Sequence, residues 1–173
     1  MALITKIEIA RRELDAAITM YFQYGDPLVI YLCFMSAYKI CRDLNRDGDE
    51  SITREFGETI EKFRNLSGAP VRADIWNLMD AKYNILKHGR DRDEKVDLIK
   101  IIAETEFFML LAVIEFRSVS GNFSDPMEIF LKAWDLRRNG KSASEARREL
   151  AEDPDCKRRI LSSLDRDRST WIC

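Results

Sequence analysis

Apolar residues recur at intervals of three and four along most of the chain, which is the spacing of one face of an α-helix. The first helix shows this spacing most clearly, at Ile7, Ala10, Leu14, Ile18 and Tyr21. No stretch alternates apolar and polar residues over a length that predicts a strand. The pattern therefore predicts an all-α fold, a helical bundle of four longer helices followed by smaller C-terminal helices.

Helix starts are marked by residues that satisfy free backbone groups. The dipeptide Asp-Pro occurs at 26–27, 125–126 and 153–154, and it predicts a start each time because Asp accepts from free N–H groups and Pro suits the first helical position. Ser142 and Glu145 have the spacing of a capping box. The other predicted helices run from about 28 to 41, 53 to 63, 72 to 88, 93 or 94 to 118, and 126 to 138. Five aromatic residues at helical core spacing are predicted to pack inside: Phe22, Phe34, Phe107, Phe108 and Trp134.

Length and charge narrow the class of protein. A chain of 173 residues predicts a single domain, with a core over about 3–140 and a polar C-terminal helical extension over about 141–173. The net charge of −2 gives the whole molecule no strong attraction to nucleic acid or to anionic membranes. The longest apolar stretch, 27–41, is shorter than a membrane span. We expect a cytoplasmic, reduced protein without a signal peptide, in which Cys33 and Cys41 are buried free thiols.

The single histidine, His88, closes the predicted helix 72–88 just before Gly89. It belongs to a polar row opposite the apolar face of that helix, formed by Asn77, Asp80, Asn84 and His88. Such a row can bind phosphate or position a ribose hydroxyl, and histidine transfers protons near neutral pH. Lys87 and Arg90 flank it with positive charge. The same row is also what the solvent face of an ordinary amphipathic helix presents, so both interpretations stay open.

Segments 14–18, 25–27 and 83–88 resemble a bacterial family of helical proteins related to the HEPN superfamily, and Asn-x-x-Lys-His is the specific part of the match. HEPN domains are helical and usually dimeric. Their active members are metal-independent endoribonucleases that use an arginine, a following polar residue and a histidine. The resemblance implies that His88 is the general acid or base and that Asn84 orients ribose or phosphate. It also implies a substrate-binding set of Asp80, Tyr83, Lys87 and Arg90.

Tyr83 occupies the position of the family's arginine and cannot supply a fixed positive charge. The resemblance therefore implies the fold and a homodimer, with RNA binding or metal-independent endoribonuclease activity through a degraded Arg-x4-His motif. The alternative is a non-catalytic helical module of a bacterial system that binds a partner protein. Neither interpretation calls for a cofactor.

The residues after the second helix begin like a calcium-binding EF-hand loop. Asp43, Asn45 and Asp47 supply oxygen ligands at positions 1, 3 and 5, and a glycine follows at position 6. The second half departs from that pattern, because Glu50 stands where an apolar residue belongs and Arg54 where a bidentate Glu belongs. The segment is thus predicted to be either a weak calcium site or an acidic connection between helices.

Overall fold

The computed structural model describes residues 3–45, 80, 81, 83–88, 95 and 97–169. Every regular element in that part of the chain is an α-helix, which confirms the predicted all-α class. We number six helices: α1 Lys6–Phe22, α2 Pro27–Leu44, α3 Leu98–Ser120, α4 Asp125–Arg138, α5 Ala143–Glu152 and α6 Pro154–Ser169. Residues 80, 81 and 83–88 are also helical and are called the Tyr83 segment. The helix predicted over 53–63 and the first part of that over 72–88 lie outside the described residues.

Several predicted helix starts are confirmed by their capping hydrogen bonds. The Asp26 carboxylate accepts from the backbone N–H of Leu28 at 2.8 Å, ahead of Pro27 at the start of α2. Ser142 and Glu145 form the reciprocal capping box of α5. The Asp153 carboxylate accepts from two backbone N–H groups at the start of α6. These starts were predictable because each depends on residues within one helical turn.

Two helices begin at residues other than those predicted. Helix α4 is capped by Ser124 and not by Asp125, because Ser124 has extended backbone and its hydroxyl accepts from the N–H of Met127. Helix α3 begins at Leu98, several residues later than predicted, and the Asp97 carbonyl accepts its first intrahelical hydrogen bond from Ile101 at 3.1 Å. Both corrections involve a polar run that offers more than one capping residue.

Helix α2 lies between α1 and α3 and forms the centre of the core, as its nearly continuous apolar sequence predicts. Helices α5 and α6 pack against α1 and α4. The largest fully buried side chains of the described residues come from α1 to α4: Leu14, Ile18, Tyr31, Phe34, Met35, Ile101, Met109, Val113, Met127, Ile129 and Phe130. The C-terminal helices extend the same core with Leu150, Cys156 and Ile160.

The predicted interior aromatic residues lie in the core or against it. Phe22, Phe34 and Phe108 are buried, whereas Phe107 and Trp134 are partly buried and pack on the core cluster. Among the described residues, no helix has both the length and the apolar character needed to cross a membrane.

The thiols in helix α2 also agree with the prediction. Cys41 is a buried free thiol, and Cys33 is a half-buried one. Burial raises the pKa of Cys41 to about 12, so that this thiol stays protonated at neutral pH.

Candidate functional site around Tyr83

The Tyr83 segment exposes three of the predicted site residues. Asn84, Lys87 and His88 are all exposed, and Asn84 and His88 lie one helical turn apart on the same face. Their side chains are therefore accessible to a ligand. Asn77, the first residue of the predicted polar row, and Arg90, which flanks the row, lie outside the described residues.

Tyr83 does not lie on the exposed face. Its side chain is only 6% exposed and belongs to the hydrophobic core. The Lys39 ammonium of α2 lies 4.4 Å from the centroid of its ring. Lys87, one turn further along, donates from Nζ to the Tyr83 hydroxyl at 3.1 Å. The structure thus places Tyr83 among packed side chains, because α2 covers its ring, and not among the ligand-facing residues that the sequence predicts.

Asp80 also turns toward α2. Its carboxylate forms ion pairs with Lys39 Nζ and with Arg42 Nη1, each at 3.3 Å, and the side chain is 30% exposed. Asp80 Oδ1 is shielded from solvent and lacks hydrogen-bond geometry to Lys39, so its interaction with that lysine is ionic. The predicted solvent-facing row therefore keeps Asn84 and His88, while Asp80 joins the Tyr83 segment to α2.

We call the group formed by Lys39, Arg42, Asn84, Lys87 and His88 the basic surface. Its three cations come from two helices that are distant in sequence. Asp80 is the carboxylate shared by Lys39 and Arg42. The guanidinium of Arg42 also lies 5.8 Å from the ring centroid of Tyr38, which keeps it against α2.

Glu13 of α1 lies on another side of the same cluster. Its Oε1 accepts a hydrogen bond from the Ser36 hydroxyl of α2 at 2.9 Å. Burial raises the pKa of Glu13, and the Ser36 hydrogen bond and then the nearby charge of Lys87 act against that rise. Asp43 also acts on the charge of Arg42, so Asp80, Glu13 and Asp43 together match the three positive charges of Lys39, Arg42 and Lys87.

Comparisons of the chain with protein-family models, with curated proteins and with solved structures found no match. The chemistry of this surface therefore has to be inferred from its own residues.

Lys39 and Arg42 are not among the residues that the sequence predicts for the site. The available signal is that they are the only charged residues between 28 and 42, three positions apart in an otherwise apolar helix. Two cations on one face of a central helix require a polar partner. The sequence does not show which helix supplies it, because that depends on tertiary packing.

The predicted calcium ligands are only partly visible. Asp43 lies exposed in the last turn of α2, and Asn45 caps that helix. The Asn45 amide nitrogen donates to Glu115 Oε1 at 2.9 Å and to the Ser118 hydroxyl, so this side chain ties α2 to α3. Asp47 lies outside the described residues, and in the part of the chain that is described no three His, Cys, Asp or Glu side chains gather as a metal site. Calcium binding stays a prediction.

Proposed function

We propose that this chain is a HEPN-like helical protein that binds RNA through the basic surface. The observation that carries the proposal is the convergence of Lys39, Arg42 and Lys87 beside the exposed Asn84 and His88. Cations grouped in this way neutralise backbone phosphates and release their counterions. An exposed cation such as Lys87 can do this locally even though the whole molecule carries a net charge of −2.

The identity of the neighbouring residues favours RNA as the ligand. The Asn84 amide can both donate and accept hydrogen bonds, which suits a ribose hydroxyl beside a phosphate. His88 is exposed one turn away and can take or give a proton at the same hydroxyl. This pair is the part of the HEPN-type motif that the chain retains.

The tyrosine at the arginine position fits the proposal when its neighbours are included. Tyr83 is neutral and buried, but Lys39 lies 4.4 Å from its ring and Lys87 is hydrogen-bonded to its hydroxyl. Two lysines therefore supply positive charge beside Tyr83, at the position of the family's arginine. Lysine provides a point charge and not the planar bidentate donor set of arginine, which favours holding a phosphate over stabilising a transition state.

RNA binding is tested by the fluorescence anisotropy of a labelled single-stranded RNA, titrated with the full chain in EDTA at several salt concentrations. We expect Lys87→Gln and Lys39→Gln each to weaken binding and to reduce the slope of log K against log salt by about 0.7, the value for one phosphate contact on a single strand. Lys132→Gln is the matched control, because Lys132 is an exposed lysine on α4. Equal affinities for the three variants would contradict the assignment of the surface.

Cleavage and assembly are measured on the same samples. RNA products formed by the wild type in EDTA and absent with His88→Ala would assign metal-independent ribonuclease activity to His88. An intact RNA pool with both proteins would leave binding as the function. We also propose a homodimer in which two copies of His88 face one groove, and light scattering of the purified chain gives its mass.

A non-catalytic protein-interaction module is the second candidate, and a separate observation favours it. The first turns of α3 expose large apolar side chains, with Ile99 82% exposed, Ile102 51% and Leu98 45%. Contiguous exposed apolar residues are typical of surfaces that bind other proteins. Under this alternative, Ile99→Asp would abolish capture of the partner while His88→Ala would leave it unchanged.

A further inference from the structure

A cleft of about 700 Å³ opens where the end of α1, the start of α2 and helix α3 meet the end of α4 and the start of α5. It shares no residue with the basic surface, so a ligand bound in this cleft would not compete with RNA for the same side chains. Pro27, Ile30 and Ile102 line part of its wall. Small-molecule sites are typically clefts of about 300–1,000 Å³ with mostly apolar walls and a few converging polar groups. The polar groups of this cleft indicate which ligand it fits.

Arg147 is the cation of this cleft whose charge is not balanced by a carboxylate in the described part of the chain. Its guanidinium carbon lies 4.1 Å from the ring centroid of Tyr24 and 4.9 Å from that of Tyr21. Nη1 donates to the Tyr21 carbonyl at 3.3 Å, while Nε is shielded from solvent and has no hydrogen-bond partner. Among the described residues, no carboxylate forms an ion pair with this arginine. Because Nε is shielded, a ligand in the cleft would meet the Nη groups, and a guanidinium held in place without an ion-pair partner is suited to an anionic group.

The other two charges of the cleft cancel each other. Glu106 accepts from the Tyr21 hydroxyl at 2.5 Å and forms an ion pair with Arg137. Its carboxylate is therefore already satisfied and does not compensate Arg147. The cleft as a whole keeps one positive charge, and an entering anion meets Arg147 as the available partner.

The start of α5 adds backbone donors to the same wall. Ala143 and Ser144 are the first two residues of α5, and both line the cleft. Their backbone N–H groups precede the first intrahelical hydrogen bond and have no acceptor within the helix. An anion beside Arg147 would also meet the positive end of the helix dipole.

Tyr24 closes the wall from a conformation that its residue type disfavours. It follows the C-cap of α1 with φ of +57°, a position at which helices usually have glycine. An aromatic residue in the left-handed region is uncommon and is kept where neighbouring contacts or a function require it. Here the strained residue places its ring against Arg147.

We propose that the cleft binds a small organic anion, an apolar body that carries one carboxylate. The carboxylate pairs with Arg147 and the N–H groups that open α5, and the body lies on Pro27, Ile30 and Ile102. Arginine can donate two parallel hydrogen bonds to a carboxylate. The apolar wall favours a ligand with an apolar body over an inorganic anion, because such a body is removed from water in the cleft.

The test uses decanoate, below its micelle concentration, titrated into the full chain by calorimetry. We expect one decanoate to bind per chain, decanol to bind at least tenfold more weakly, and an equal concentration of inorganic phosphate not to displace decanoate. Arg147→Gln should weaken decanoate binding at least tenfold. Arg148→Gln is the matched control, because Arg148 is the exposed neighbouring arginine on α5 and does not line this cleft.

Tyr24→Gly distinguishes an effect on ligand binding from an effect on folding. Glycine adopts the positive φ of this position without strain, and it removes the aromatic ring from the wall of the cleft. We expect an unchanged or raised melting temperature together with weaker decanoate binding, and this variant also serves if Arg147→Gln fails to fold. Equal affinity for decanol and decanoate, displacement by phosphate, or unchanged binding by Arg147→Gln and Tyr24→Gly would overturn the proposal.

Discussion

Glu13 is a carboxylate whose charge the fold half-buries. One oxygen accepts from Ser36, while Oε2 is shielded from solvent without a hydrogen-bond partner. Burial raises the pKa of Glu13, and the hydrogen bond from Ser36 and then the charge of Lys87 oppose that rise only in part. A buried polar atom left without a partner costs about 1–3 kcal/mol. The ionised form of this residue is therefore the form that destabilises the fold.

We expect Glu13→Gln to raise the free energy of unfolding at neutral pH by about 1 kcal/mol, because the amide keeps an acceptor for Ser36 and carries no charge. The folded-state pKa lies above the unfolded value, so the carboxyl favours folding at low pH and loses that contribution as the pH rises through the folded pKa. The advantage of Gln should therefore shrink as the pH falls through the raised folded pKa, and it should be gone below 4.5, the unperturbed value. Urea unfolding at neutral pH and at about pH 4 measures the difference.

Glu8 provides a control of opposite sign on the same helix. Hydrogen bonds from Arg11, and then from Arg12, hold the pKa of Glu8 at about 2. Its charge contributes stability above the unfolded pKa, and that contribution is lost as the pH falls through the folded pKa. Glu8→Gln should therefore lower stability at neutral pH. A gain for both glutamine variants would contradict the electrostatic explanation.

At the scale of elements, Ser124 joins two helices through one hydroxyl. It accepts from the N–H of Met127 as the cap of α4 and donates to the Asp15 carboxylate of α1. The Asp15 side chain is 1% exposed and also pairs with Arg11 Nη1 at 2.6 Å. A buried carboxylate depends on having all of its partners. Ser142, by contrast, caps α5 at the surface.

We expect Ser124→Ala to lower the free energy of unfolding by about 2 kcal/mol and Ser142→Ala by about 1 kcal/mol, the upper limit and the usual value for a lost N-cap. The larger loss at Ser124 reflects the hydrogen bond that Asp15 also loses. Urea unfolding of the two alanine variants gives the comparison. Equal losses would show that the contact with Asp15 contributes nothing beyond the cap.

The same two serines show which parts of the helices could be predicted. Ser142 was predictable because its partner Glu145 lies three residues on, within one turn. The local pattern assigns the cap of α4 to Asp125, because Ser, Asp and Pro in succession offer two capping residues. The choice of Ser124 depends on a contact with Asp15, 109 positions away, which local pattern does not show.

In the candidate site, too, some features could be predicted from the sequence and others depend on tertiary packing. Exposure of Asn84 and His88 is a consequence of the helical period and was predicted. The burial of Tyr83 and the pairing of Asp80 with Lys39 and Arg42 depend on α2 lying against the Tyr83 segment. Helical periodicity separates the apolar and polar sides of one helix, but it does not identify the neighbouring helix.

At the scale of the whole molecule, the described part of the C-terminal region packs as a continuation of the core. Leu150, Cys156 and Ile160 belong to the same buried cluster as α1 and α2. Arg159 of α6 donates to Asp125 at 2.8 Å and to Glu128 at 2.5 Å, which ties α6 to the first turn of α4. A polar extension beside a separate core would not share buried side chains with it. We therefore expect one cooperative unit.

Ile160→Ala tests whether the molecule unfolds as one cooperative unit, because Ile160 is only 4% exposed and lies at the contact of α6 with the core. We expect a loss of about 3 kcal/mol, within the range for truncating a buried isoleucine. In native-state hydrogen exchange, the slowest amides of α1 and α2 should exchange roughly 150-fold faster, the rate equivalent of that loss. Leu161→Ala is the control, since the neighbouring Leu161 is 40% exposed and should change stability by less than about 1 kcal/mol. Faster exchange confined to α5 and α6 would instead show that the C-terminal helices unfold by themselves.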